Sequence, residues 1–243
     1  MNTEDIGFGG LKLAQDPDGF RYGIDAVILA DFAFSICPEA ENIIDLGTGN
    51  GIIPLILSHK NGNAAFTGLD IQERAVEAAR FSAEINGLSG RLRFIRGDVK
   101  EASALLPLHK ADAVTCNPPY VARGGGLANS DSGRYIARHE TTATLEDFVK
   151  AAARILKDRG NFFMVHRPSR LVDIFCACRS EGLEPKNVRF VCPKKGAAPN
   201  IVLIHCVAGG GKELRFMKEL VVYGENGAYT PEIERIYERG NVR

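Results

Sequence analysis

Asn42-Ile43-Ile44-Asp45-Leu46-Gly47-Thr48-Gly49-Asn50-Gly51 runs from a short apolar strand into a glycine loop, and residues 51–60 behind it read as a helix. Pro54 is tolerated there because it falls in the helix's first turn. The unit then recurs. Ala65-Phe66-Thr67-Gly68-Leu69-Asp70 reads as a second strand. Residues 72–86 carry Ala75, Val76, Ala79 and Ala83 at helical spacing, and Asn86-Gly87 closes that helix. Leu92-Arg93-Phe94-Ile95 begins a third strand and residues 111–116 form a fourth. Residues 145–156 read as a long helix ending before Asp158-Arg159-Gly160, 161–166 as a fifth strand and 171–179 as another helix. No helical pattern separates the late strands at 188–192 and 201–207, so they pair as antiparallel neighbours. Strands alternating with helices demand a mostly parallel sheet with helices on both faces, an α/β fold. Ligands of such sheets bind outside the carboxyl ends of the strands.

The fourth strand ends in Asn117-Pro118-Pro119-Tyr120. Two prolines cannot continue a sheet, because each lacks the ladder N–H. The turn presents one amide, carbonyls and an aromatic face at a rigid strand end. That set suits a planar –NH2 group: the Asn117 oxygen and the Pro118 carbonyl accept its two hydrogens, and Tyr120 stacks on the ring. A proline turn with Tyr120 packed in the core is the plainer alternative. Residues 121–144, with Gly124-Gly125-Gly126 and few large apolar side chains, form a long loop placed to act as a lid.

Three strands end in acids: Asp45, Asp70 and Asp98. The loop after Asp45 is G-x-G-x-G, where a dinucleotide site would have G-x-G-x-x-G. An acid facing the ligand fits a cationic amine better than a pyrophosphate. Asp70 is placed for a ribose hydroxyl pair and Asp98 for an adenine amine. Each acid alone also fits a helix cap or turn.

The 243 residues suit one domain, with a helical and strand extension over 1–40, a core over 41–207 and a tail over 208–243 that holds a helix at 231–239. No apolar run is long enough to cross a bilayer and no leader pattern opens the chain, so a cytoplasmic location is expected. The six cysteines form no CxxC pair and four lie in apolar runs, which reads as reduced core thiols and no metal site. Net charge is zero, which argues against a generic polyanion binder, yet the halves differ. Residues 1–120 hold 10 Lys/Arg and 16 Asp/Glu, a balance of −6; residues 121–243 hold 20 and 14, a balance of +6. A basic half can dock a phosphate backbone on one face.

The loop at 45–51 with Asp70, Asp98 and Asn117–Tyr120 resembles the class I S-adenosylmethionine-dependent methyltransferases. The resemblance implies a Rossmann-like, seven-stranded, mostly parallel sheet whose last strand is antiparallel. It implies S-adenosylmethionine as cofactor, held by Asp45, Gly47, Thr48, Gly49, Asn50 and Gly51 at the methionine end. Asp70 with Ile71 would hold the ribose and Asp98 with Val99 the adenine, with Asn117 beside them. The Asn-Pro-Pro-Tyr turn occurs in the branch that methylates planar nitrogens: exocyclic base amines and glutamine amides.

Asp18-Gly19-Phe20-Arg21-Tyr22-Gly23-Ile24-Asp25-Ala26-Val27-Ile28-Leu29-Ala30, with Arg138-His139-Glu140 and Val165-His166-Arg167-Pro168, is similar to the family of bacterial tRNA1(Val) adenine-N6 methyltransferases. That resemblance implies an adenine beside a tRNA anticodon as acceptor, Phe20 and Tyr22 near the cofactor and Asp25 near the loop. From composition alone, the stretch at 26–34 reads as an amphipathic helix covering the sheet. The candidate catalytic residues are Asn117, Pro118, Pro119 and Tyr120, and those touching substrate are Tyr120, Arg138 and Arg167. Arg123, Arg134, Arg170, Lys194 and Lys195 are further cations placed to face RNA. A ribosomal RNA base amine or a protein glutamine is the alternative acceptor. Protein glutamine methyltransferases commonly carry an N-terminal helical domain, for which the 44 residues before Asp45 are too few. A non-catalytic RNA-binding module is disfavoured by the intact turn, and monomer and homodimer stay open.

Overall fold

A computed structural model describes residues 1–15, 22–119 and 143–238. Tyr120, Arg138 and nearly all of the expected lid lie outside the described residues, as does Phe20. The chain opens with a hairpin, β1 (Asn2–Asp5) and β2 (Lys12–Gln15), and then α1 (Ile24–Ile36). The repeating units follow: β3 (Asn42–Leu46), α2 (Ile52–Lys60), β4 (Ala65–Asp70), α3 (Glu73–Ile85) and β5 (Leu92–Arg96). Next come the short α4 (Ala102–Leu105), β6 (Ala111–Cys116), α5 (Leu145–Ile155), β7 (Leu156–His166) and α6 (Leu171–Ser180). The last elements are β8 (Leu183–Lys194), β9 (Ile201–Ala208), β10 (Arg215–Phe216), β11 (Leu220–Tyr223) and α7 (Pro231–Ile236).

The main sheet has nine strands in the order β10-β8-β9-β7-β6-β3-β4-β5, with β11 also on β8. Seven of them form the expected mostly parallel sheet, and β9 runs antiparallel to both β7 and β8. The segment read as tail adds β10 and β11, both parallel to β8, along an edge that would otherwise expose its N–H and C=O groups. β7 also starts five residues earlier than the reading at 161, because α5 ends at Ile155 and Leu156 already pairs with Ala111. The ladder is irregular between Ala111 and Ala113, where Arg159 adopts a φ of 61°.

Local chemistry sets the helix ends. Thr144 and Asp147 form a reciprocal capping box at the start of α5: Asp147 N–H donates to Thr144 Oγ1 at 3.3 Å and Thr144 N–H to Asp147 Oδ2 at 2.8 Å. Asn86 caps α3 and also fixes the hairpin: Lys12 N–H donates to its Oδ1 at 2.9 Å and its Nδ2 donates to Lys12 O at 2.6 Å.

One apolar core lies between the sheet and α1, α2 and α3, and a second between the other sheet face and α5 and α6. α1 is not the amphipathic covering helix its composition suggested. Ala26, Val27, Ile28, Leu29, Ala30, Phe32 and Ala33 are buried around most of its circumference, the pattern of an interior helix. Its inner side packs on β6, β7 and β9, where Phe32 meets Phe163 edge-on at 5.9 Å. The C-terminal α7 packs on α1 and β11 and brings Ile233, Ile236 and Tyr237 into the same core. Each such side chain contributes about 1.5–3 kcal/mol on burial.

Candidate active site

β5, β4, β3 and β6 are neighbours in that order and parallel, so their carboxyl ends form one continuous edge. Asp45, Asp70, Asp98 and Asn117 all lie at that edge. The loop after β3 is tied to β4: Gly47 N–H and Thr48 N–H both donate to Leu69 O, at 2.9 and 3.1 Å. Gly49 takes a φ of 55°, and a side chain there would meet nothing within 4 Å, so the backbone borders open space that a ligand can approach. Gly51 also answers to packing. Its φ is 81°, and a Cβ would come within 2.8 Å of the Phe94 ring.

Asp45 is buried, 1% exposed. Thr115 on the neighbouring β6 donates its hydroxyl to Asp45 Oδ1 at 2.6 Å. Asp45 Oδ2, Thr48 Oγ1 and Asn50 Nδ2 are buried with no well-formed hydrogen bond, the Thr48 hydroxyl coming only near enough to Asp45 to lower its pKa. Buried polar atoms are almost always satisfied, so three orphans around one glycine loop fit a polar ligand that completes them. Burial pushes the Asp45 carboxyl up to about 7, opposed by the Thr115 hydrogen bond and by the nearby Thr48 hydroxyl. A cation beside Oδ2 would restore the carboxylate, as the ammonium of an amino-acid group does.

Asp70, the last residue of β4, is held by the backbone. Gly49 N–H donates to Oδ2 at 2.8 Å and Gln72 N–H to Oδ1 at 2.9 Å. Burial raises its pKa. Ile71 N–H also bonds the carboxylate, and three donors on about four lone pairs still leave room for a ligand hydroxyl. Ile71 beside it is 36% exposed and offers an apolar face at the same edge. Asp98 caps the short turn Val99–Glu101 with one oxygen, accepting Lys100 N–H at 3.0 Å, and its other oxygen lies 3.8 Å from Lys100 Nζ. Its capping role is structural, and an adenine amine would share it. Val99 turns into the second core, 8% exposed.

At the end of β6, Pro118 is buried while Asn117 and Pro119 are half-buried. Asn117 Nδ2 donates to Asp25 Oδ2 at 3.3 Å. This contact, between residues 92 apart in sequence, commits the amide nitrogen to the carboxylate and turns the amide oxygen the other way. An oriented acceptor oxygen is what an incoming –NH2 needs. The family resemblance put Asp25 near the loop without giving it this partner. The ladder pairs Cys116 with Met164, two residues before the end of β7 at His166, and Arg167 follows, exposed, its N–H donating to His166 Nδ1 at 2.8 Å.

The methyltransferase small domain family matches residues 27–173. A tRNA1(Val) (adenine(37)-N6)-methyltransferase of Porphyromonas gingivalis is 28% identical over 244 residues, covering 98% of this chain and 95% of that protein. A protein of the same name from Pedobacter heparinus is 27% identical over 223 residues, covering 92% of each. Among solved structures, a predicted O-methyltransferase from Agrobacterium tumefaciens has a TM-score of 0.72 at 23% identity, covering 88% of this chain and 95% of that one, which shows a shared fold.

Proposed function

The chain belongs to the methyltransferase small domain family, and from that premise we propose that it methylates the N6 amine of an adenine in transfer RNA, using S-adenosylmethionine. The observation that carries this reading is the Asn117 amide, held by Asp25 at the same sheet edge as the orphan-lined Asp45 loop. Similarity along nearly the whole chain to proteins named for that reaction supports the acceptor.

Asp45, Gly47, Thr48, Gly49, Asn50 and Gly51 would hold the methionine end of the cofactor, Asp70 and Ile71 the ribose, and Asp98 and Val99 the adenine. The bound cofactor supplies a methyl group already activated on a sulfonium, so positioning provides much of the barrier reduction. The amine's lone pair is delocalised into the adenine ring. Acceptance of its two N–H groups by Asn117 Oδ1 and the Pro118 carbonyl favours the pyramidal nitrogen as positive charge develops there. Tyr120 would stack on the base, and Arg138 and Arg167 would contact the RNA. The amine need not lose a proton before attack, so no general base is required.

Nucleoside composition of transfer RNA tests the reading in cells. Cells lacking this chain should lose an N6-methyladenosine that the restored chain, but not its Asn117→Ala variant, brings back. An unchanged nucleoside profile in the deleted cells would overturn it.

A further inference from the structure

The three acids proposed to hold the cofactor sit at the ends of β3, β4 and β5, all on one side of β6. The acceptor turn is at the end of β6 itself. RNA approaching that turn must therefore lie over the other half of the edge, formed by β7, β9, β8 and β11. That half carries a distinctive set of groups. Arg167 is exposed at the end of β7. Lys194, the last residue of β8, and Lys195 after it are exposed, and neither forms an ion pair with a described residue. Tyr223, the last residue of β11, pairs in register with Lys194 and is 38% exposed. One face of its ring stacks on Tyr229 at 5.3 Å, and Tyr229 in turn stacks on Tyr237 at 5.6 Å, so the ring has a rigid backing. Glu225 in the following turn leaves the cations in surplus.

We propose that this rim is the RNA-docking surface: Lys194 and Lys195 take backbone phosphates and a base stacks on Tyr223. The proposal rests on the transfer RNA reading above. Positive charge beside a braced aromatic is the combination that binds unpaired RNA, since phosphates supply affinity and ring faces accept any base. Four strand spacings separate β6 from β11, roughly 20 Å at ~4.8 Å each. That is about six stacked nucleotide steps at ~3.4 Å, and fewer where the bases splay. The rim is thus scaled to one loop of RNA, with the target base at Asn117 and a loop neighbour at Tyr223. It also accounts for a zero-charge protein acting on a polyanion, because the cations are gathered where the substrate lies.

The test is steady-state kinetics with unfractionated transfer RNA from cells lacking the enzyme, at several salt concentrations. Lys194→Glu/Lys195→Glu should raise KM for RNA at least tenfold. It should also flatten the slope of log KM against log salt by about 1.5, from two lost phosphate contacts. Tyr223→Leu should raise KM about tenfold and Tyr223→Phe should restore it, because stacking needs the ring and not the hydroxyl. Cofactor binding should hold in all of them, and the unfolding midpoint in the lysine variant and in Tyr223→Phe. Lys212→Glu, the same charge reversal beyond the opposite end of β9, should change nothing. Wild-type KM and salt slope in the double lysine variant, while the parent methylates RNA, would overturn this inference alone. Failure of the parent to methylate any RNA would overturn the reading beneath it as well.

Discussion

Cofactor affinity should depend on pH through Asp45. Burial pushes the Asp45 carboxyl up to about 7, and its Oδ2 is buried beside the loop where the cofactor's ammonium would lie. Only the ionised carboxylate attracts that cation, so binding draws on the ionised fraction of the free protein. At pH 5 that fraction is roughly 1%, and the apparent dissociation constant should be about 100-fold weaker than its high-pH limit. At pH 6 the penalty falls to about tenfold, and above pH 8 it disappears. Binding below pH 7 should release up to about one proton per cofactor. Isothermal titration calorimetry in buffers of different ionisation enthalpy measures the affinity and the proton count together. Asp45→Asn should bind weakly at every pH and lose the acidic limb of the profile. A wild-type constant that changes less than threefold between pH 5.5 and 8 would refute the assignment of Asp45 to the cofactor's amine.

Asn117→Ala should lower turnover by roughly 10²–10³-fold, the cost of one oriented transition-state hydrogen bond, and activity within threefold of wild type would remove Asn117 from the mechanism. Asp25→Ala removes one tie on the Asn117 amide and should lower kcat about tenfold, with KM for the cofactor unchanged; Asp25→Asn, which still offers an oxygen, should recover most of it. His205 is a pH-dependent tie of the sheet, bonded at 2.8 Å to Asn187 Nδ2 and at 3.0 Å to Asn161 Oδ1, with its pKa lowered to about 4 by burial. A group whose folded pKa is depressed contributes its stability above the unfolded value of 6.5 and loses it as pH falls through 4. Denaturant unfolding should therefore show the stability gap between wild type and His205→Gln narrowing by up to about 3 kcal/mol over that range, and a gap that does not change with pH would disprove it.

Much of the sheet was legible because each strand of the core carries its own apolar run and each helix its own period and stop. Asn86-Gly87 marks the end of α3 from sequence alone, and the missing helix between 192 and 201 gives the antiparallel pair. What stayed hidden depended on distant partners. β10 is two residues long and β11 four, too short to carry a period, and both exist only because β8 offers them an edge. α1 looked amphipathic because the helix that covers its outer side comes some 200 residues later. At the site, residue types predicted Asp45, Asp70 and Asn117 at one edge, since an acid or amide closing consecutive strands is a local signal. Each acid was also a candidate cap, and Asp98 proves to be one; the Asp25–Asn117 contact is a matter of geometry, and no spacing in the chain announces it.

Transfer of a labelled methyl group tests the central claim most directly. The purified chain is incubated with S-adenosylmethionine labelled in its methyl group and with transfer RNA from cells lacking the enzyme, and the RNA is digested and its nucleosides identified by mass spectrometry. The account predicts label in N6-methyladenosine. Label confined to another nucleoside or to protein glutamine, or no label from a chain that binds the cofactor, would contradict it.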